Sequence, residues 1–254
     1  MQKQFIRSRA RFQSVIINQV KLIPFSILIH QVLSFRAKHQ ESEQGRNDMI
    51  TVFPGVVEGT GFKWKTVEQP ITKYNDAVAY LRQSSAAAAL LDFLSGGEEV
   101  TLLCTTDTTS SFFPAEIVKQ AGCNVRGSLV TWNPFDSLNV NDIKRNKPVG
   151  RSRVPNKNVS RGTQSPAVGL IHEFGHARQY MLKRDWFMTH YRAASSGSDS
   201  DRLIIENDNL LTVESVVARQ LNEGVRWKYR DIGSSNTNLN VQYQLNRPMD
   251  PILV

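Results

Sequence analysis

The sequence predicts an α+β domain with a small β-sheet, organised around a helix that carries a histidine pair. Three observations predict it. Apolar residues recur at helical spacing over 70–83 and again over 165–181. Two runs, 99–105 and 124–132, are rich in β-branched and apolar residues and bounded by turn formers, so they read as strands. The pattern HExxH falls at 172–176, inside the later helix. The chain has 254 residues, enough for one sizeable domain or two small ones. Hydrophobic residues make up 40% and charged residues 21%, which excludes a wholly disordered chain.

Residues 1–48 precede the folded part. They hold eight Lys/Arg against three acids and one apolar run, Leu22 to Phe35, of 14 residues. A membrane-spanning helix needs roughly 20 apolar residues, so stable membrane insertion is not expected. Basic residues precede the run, but no small-x-small cleavage site follows it. The segment reads as a basic, weakly structured leader: a secretion address that is not cleaved, a start site ahead of Met49, or a frayed terminus. His30 and His39 lie within it and carry no assigned role.

Folded structure is expected over 49–254. Ile71, Tyr74, Val78 and Leu81 mark an amphipathic helix over 70–83. Ser84 and Ser85 offer N-caps to a second helix, Ala86 to Leu94, which Gly96 and Gly97 end. The strands at 99–105 and 124–132 follow. Trp132-Asn133-Pro134-Phe135 reads as a strand end and turn, with Asp136 a side chain that could reach the site. Residues 143–161 hold seven Lys/Arg and no acid and read as an exposed loop. The net charge of +8 therefore resides in this stretch and the leader, and the rest of the chain is acidic. That distribution, with no interleaved aromatics in the basic stretch, argues against a nucleic-acid partner. The tail, Gly233 to Pro248, carries no assigned element. The two cysteines, Cys104 and Cys123, form no CxxC pair, which excludes a disulfide framework and a cysteine-ligated zinc finger.

The chemistry is concentrated in SPAVGLIHEFGHARQYM, 165–181. Ser165 fits an N-cap and Pro166 the first helical position. Leu170, Ile171, Phe174, Ala177 and Met181 form an apolar stripe, leaving His172, Glu173, His176 and Tyr180 on the other side. Two imidazoles one turn apart can each reach a zinc ion at about 2.0–2.1 Å. Glu173 then stands beside the metal and can take a proton from the attacking water. Gly175 costs roughly 1 kcal/mol relative to Ala inside a helix, which predicts a neighbour pressed against the helix backbone.

Catalytic zinc takes three protein ligands and keeps one open position. Residues 177–182 supply no further histidine, so a carboxylate from a later helix, 209–229, is expected, capped by Asn209 or Thr212. Glu214 interrupts an apolar patch of Val213, Val216 and Val217 and is the preferred third ligand; Glu206, Asp208 and Glu223 are alternatives. Charge developing on the reacting carbonyl needs a donor. Tyr229 and Arg226 rank first, ahead of Arg219, His190 and Tyr180, because they follow the proposed ligand on the same helix.

The stretch LIHEFGHARQY at 170–180 resembles the NleD-type effector metallopeptidases. The downstream helix ending Asn222-Glu223-Gly224-Val225-Arg226, followed by Tyr229, supports the resemblance. So does GVVEGTGF (55–62) ahead of a helix pair and a strand, which extends it over about residues 50–232. The resemblance implies a zincin-like, gluzincin-type endopeptidase, secreted by a bacterium and delivered into the host-cell cytoplasm. Its expected partner is a host signalling protein, with stress-activated MAP kinases the substrate class; a monomer is expected. It assigns His172 and His176 as zinc ligands, Glu173 as general base and Glu214 as third ligand. An extended substrate would add to a sheet edge, with 99–105 or 124–132 as candidates. The rival readings are a toxin or processing peptidase with another protein substrate, and a zinc-stabilised interaction module without turnover.

Overall fold

The computed structural model describes residues 49–140, 162–226 and 229 in full, and the backbone of 141, 161 and 232–236. The leader, most of the basic stretch and the end of the tail lie outside these residues. The architecture is mixed α+β with small sheets.

The main sheet has four strands: β1 (Ile50–Val52), β4 (Val100–Cys104), β5 (Ser111–Phe113) and β6 (Ser128–Trp132), in the order β1-β4-β6-β5. β1, β4 and β6 run parallel, and β5 lies antiparallel on β6. Every residue of VTLLC and SLVTW is buried, as expected of parallel strands covered on both faces. These two runs are therefore the interior strands. Neither offers a free edge for a substrate, contrary to expectation; the edges are β1 and β5. The second run is also shorter than the expected 124–132, because the chain turns at Gly127 (φ 63°) before the strand begins.

A parallel step from β1 to β4 needs a long crossover. It is made by the hairpin β2 (Val56–Gly59) and β3 (Phe62–Lys65), then α1 (Pro70–Leu81) and α2 (Ser85–Ser95). Ser84 caps α2, its hydroxyl accepting from Ala87 N at 3.1 Å, and Gly96 ends it. The hairpin closes a small cluster of Val57, Trp64, Leu103, Phe113, Val118 and Leu129, with α3 (Ala115–Gln120) along its side. A second sheet, β8-β7-β9, joins β7 (Ser137–Asn141) to β8 (Arg161–Gln164) and β9 (Ile232–Asn236), all antiparallel. β9 occupies part of the tail for which the sequence pattern suggests no element.

α4 (Pro166–Leu182) is the axis of the molecule. Ser165 caps it, accepting from Val168 N, and Trp132 Nε1 donates to Pro166 O at 2.8 Å, tying the helix start to the end of β6. The expected two-sided helix is corrected here: α4 is buried nearly all round. The main core, including Trp132, Leu170, Phe174, Tyr180 and Phe187, wraps it. Each such side chain contributes about 1.5–3 kcal/mol of burial free energy. α5 (Arg184–Ser195) and α6 (Asp199–Asn209) pack across it.

The later helix differs most from expectation. It starts ten residues earlier than expected, capped by Ser198, and passes through a single π turn at Leu210–Glu214 into α7 (Ser215–Gln220). It ends where Asn222 takes a left-handed conformation (φ 54°). Asn209 and Thr212 are interior to it and cap nothing. Both cysteines are free; burial pushes the Cys104 thiol up to about 12 and the Cys123 thiol up to about 11. Among the described residues, no helix is long and apolar enough to cross a membrane.

Candidate metal centre

His172 and His176 project from the same face of α4 toward α6. Their Nε2 atoms are 3.1 Å apart, and Glu206 Oε2 of α6 lies 3.1 Å from the first and 3.2 Å from the second. All three residues are buried, at 6%, 2% and 3% exposure. Donors about 2.0–2.1 Å from one zinc ion at tetrahedral angles stand about 3.3–3.4 Å apart, close to this triangle.

The hydrogen bonds behind the triangle decide what faces its centre. Gln179 Nε2 donates to Ile205 O (3.1 Å) and Asp208 Oδ2 (2.8 Å). Its Oε1 is thereby turned toward His176 Nδ1, 2.8 Å away, and can only accept. The His176 proton therefore sits on Nδ1, and Nε2 presents a lone pair. On His172, Nδ1 lies 2.6 Å from Glu214 Oε2, off the ring's N–H line but in close charge contact. The two imidazole nitrogens and the carboxylate oxygen face one another at this distance, so a cation between them, a proton or a metal ion, is favoured. The same pressure appears in His172: burial opposes its charge, but Glu206, Glu214 and Glu173 outweigh that and push it up to about 10. A buried cluster of His172, His176 and Glu206 is thus suited to hold a metal ion.

Glu214 is not part of this triangle, which corrects the expected ligand set. It stands behind His172, held by Arg226 through Nε (2.9 Å) and Nη2 and by Gln164 Nε2 (2.9 Å). Burial opposes its charge, and Arg226 with His172 pulls its carboxyl down to about 2. It stands against the His172 imidazole and carries the charge that neutralises Arg226. Arg226 is corrected with it. Buried at 4% exposure, it spends its fork on Glu214 and its Nη1 on Tyr229 O at 3.1 Å, so it is no free donor to a substrate.

The other expected residues divide. Glu173, next to His172, lines a cavity of about 110 Å³ shared with His172, Tyr229, Asp136 and Ser110. It is 4% exposed, and its Oε2 has no hydrogen-bond partner among the described residues. Tyr229 lies at the cavity, its ring stacked 6.2 Å from that of His172. Tyr180 is directed to Glu116 at 2.6 Å, and His190 to Asp201 at 2.6 Å, so neither joins the site. Of the alternative ligands, Asp208 bonds Gln179, and Glu223 holds the start of α4.

Two positioning residues were not anticipated. Gln179 lies three positions after His176 on the same helix face, a spacing readable in the sequence. Asn209 donates from Nδ2 to His172 O at 2.7 Å, joining α6 to α4 between the ligands. A Cβ on Gly175 would lie 1.9 Å from Asn209 Oδ1, so this side-chain amide is the neighbour that the glycine predicts.

The π turn explains why Glu206, Asn209 and Glu214 all face α4. Eight α-helical residues at about 100° each would leave Glu214 about 80° round from Glu206. The wide turn absorbs one residue and returns it to within about 20°. No family model, no curated protein and no solved structure matches this chain.

Proposed function

We propose that this protein is a zinc-dependent endopeptidase of the zincin type. The observation that carries the reading is the buried His172–His176–Glu206 triangle beside Glu173, which lines the same cavity and whose Oε2 has no hydrogen-bond partner among the described residues. The donor set of two imidazoles, one carboxylate and room for a further ligand is that of hydrolytic zinc and favours it over the oxygen-rich sets of calcium or magnesium. Zinc bound there would lower the pKa of water to about 7 and polarise a carbonyl.

The chain's own residues do the rest. Glu173 accepts the proton of the attacking water at a carboxylate oxygen and returns it to the leaving amine. Its burial keeps competing water away from that oxygen. Tyr229 stands where a phenol could donate to the carbonyl oxygen as charge develops. Gln179 and Glu214 hold the two imidazoles in register, and Arg226 keeps Glu214 ionised. A substrate strand has β5 as the nearer sheet edge, since β5 packs against α4.

The resemblance of 170–180 to NleD-type peptidases supports a host signalling protein as the substrate, with stress-activated MAP kinases first to be tested. It also supports delivery of the protein into the host cytoplasm by a bacterial secretion system. The test compares wild type with Glu173→Gln in host-cell lysate, labelling new N-termini. Termini produced by wild type alone are expected, with zinc retained by both proteins. Equal cleavage by the two would sink the mechanism. Zinc bound without new termini from either would favour a zinc-stabilised interaction module.

A further inference from the structure

The cavity beside the triad contains a second carboxylate that the reaction does not use. Asp136 lies in the turn between β6 and β7, where Asn133 Oδ1 accepts from Phe135 N at 3.0 Å and Asn133 O accepts from Asp136 N at 3.3 Å. Ser110 Oγ accepts from Asn133 N at 3.2 Å and braces the turn. The turn directs Asp136 into the cavity shared with His172 and Glu173. Its Oδ1 is buried and has no hydrogen-bond partner among the described residues.

Among the described residues, the other charges at the cavity are accounted for. Arg226 is matched by Glu214. A divalent ion on the triad is balanced by Glu206 and Glu173. Asp136 is left over, in a cleft whose walls also include the apolar side chains of Leu138 and Val168. A buried carboxylate oxygen without a donor is costly unless a ligand supplies one. Burial raises the Asp136 carboxyl above its ordinary 3.8, with no cation among the causes to pull it down. At about 110 Å³ the cavity has room for one side chain rather than a drug-sized ligand. A long side chain with a methylene stem and a cationic tip fits apolar walls ending at a carboxylate.

We propose that Asp136 is the specificity carboxylate of the cleft, receiving the ammonium or guanidinium of a lysine or arginine side chain beside the scissile bond of a protein substrate. This rests on the peptidase reading and deepens it: the preferred cleavage sites carry a basic residue at one fixed flanking position. Asp136 takes no part in the bond-breaking step. It positions the chain by charge-assisted hydrogen bonds, which distinguish a cation from a neutral isostere by about tenfold or more.

The test uses the full-length, zinc-loaded protein and a random peptide mixture with acetylated N-termini, so that free α-amines cannot stand in for side chains. Lysine and arginine should be enriched at one position next to the cut. Asp136→Asn should lower that enrichment about tenfold, Asp136→Glu should retain it, and Asp136→Lys should move the preference to acidic residues. A parallel equilibrium measurement needs no turnover. Alanine-rich acetylated peptides carrying one lysine or one norleucine are titrated onto Glu173→Gln, with and without Asp136→Asn. The lysine peptide should bind about tenfold more tightly, and the advantage should vanish in the double variant. Cleavage without a basic preference, or equal binding of the two peptides, overturns the proposal. If wild type cuts nothing, the peptidase reading falls, and the binding pair alone decides whether Asp136 selects a cation.

Discussion

Glu223, packed on the start of α4, and Glu173, within α4, are both buried, at 7% and 4% exposure, and their surroundings differ sharply. Glu223 receives Ser165 N (2.5 Å), Ser165 Oγ (2.6 Å) and Tyr80 OH (2.6 Å). It fastens the N-terminus of α4 to α1 and to the end of α7, and it complements the helix dipole. Glu173, two turns further along, leaves Oε2 without a partner among the described residues. A carboxylate whose work is structural is saturated with donors, because each unmet lone pair would cost stability. A carboxylate whose work is to exchange a proton keeps an oxygen open and accepts that cost locally. The same contrast separates Glu214, locked by Arg226 and Gln164, from Asp136, which faces the cavity with Oδ1 unmet. One end of α4 is a clasp, and its middle is where the proposed proton exchange would take place.

Substitutions can break this contrast at several strengths. The largest effect is expected at the triangle. His176→Ala or Glu206→Ala should abolish tight metal binding, measured by chelator competition on the purified protein. Glu214→Gln, behind His172, should weaken it by about 10–100-fold and no more. If Glu206→Ala kept the metal while Glu214→Gln lost it entirely, the assignment of the third ligand would be reversed.

At the clasp, Glu223→Ala leaves the backbone N–H and hydroxyl of Ser165 and the Tyr80 hydroxyl unmet and should cost about 3 kcal/mol, read from the denaturant midpoint. Glu173→Gln, by contrast, should leave that midpoint within about 0.5 kcal/mol of wild type. Gly175→Ala should cost about 2 kcal/mol, because the new methyl meets Asn209. Pairing it with Asn209→Ala should recover part of the loss in a double-mutant cycle.

The smallest effect is a pH dependence. Burial raises the Glu223 carboxyl above its ordinary 4.5, while Ser165 and Tyr80 offset part of the rise. The folded state then binds this proton more tightly than the unfolded chain does. Glu223 should therefore contribute most below pH 4.5 and lose that contribution as the pH climbs from 4.5 through its raised value. Glu223→Gln should remove this slope. A wild-type slope unchanged by the substitution would assign it to other groups.

Local chemistry was readable where it is local. The caps at Ser84 and Ser165, the asparagine turn at 133–135 and the buried runs at 100–104 and 128–132 follow from residue type and spacing. The pairing of His172 with His176 follows from the helical repeat, and Gly175 announced a close neighbour without naming it. What escaped was set by contacts distant in sequence. The two apolar runs look alike whether a strand is central or at an edge, so β5, only three residues long, could not be identified as the edge beside α4. Glu214 among valines has the appearance of a ligand, because an apolar patch cannot reveal that Arg226 will fold back onto it.

That α4 forms, where it begins and that its two imidazoles share a face all follow from residue order, since these depend on capping and on the 3.6-residue period. Which carboxylate completes the triangle is settled by packing between distant segments. That choice depends on one extra residue absorbed in the π turn at Leu210–Glu214, which brings Glu206 and Glu214 to the same face and sets one before the imidazoles and the other behind. The wide turn is held where α6 packs against α4, through Asn209 and Gly175 and through the buried Leu210, Val213 and Glu214 of the turn.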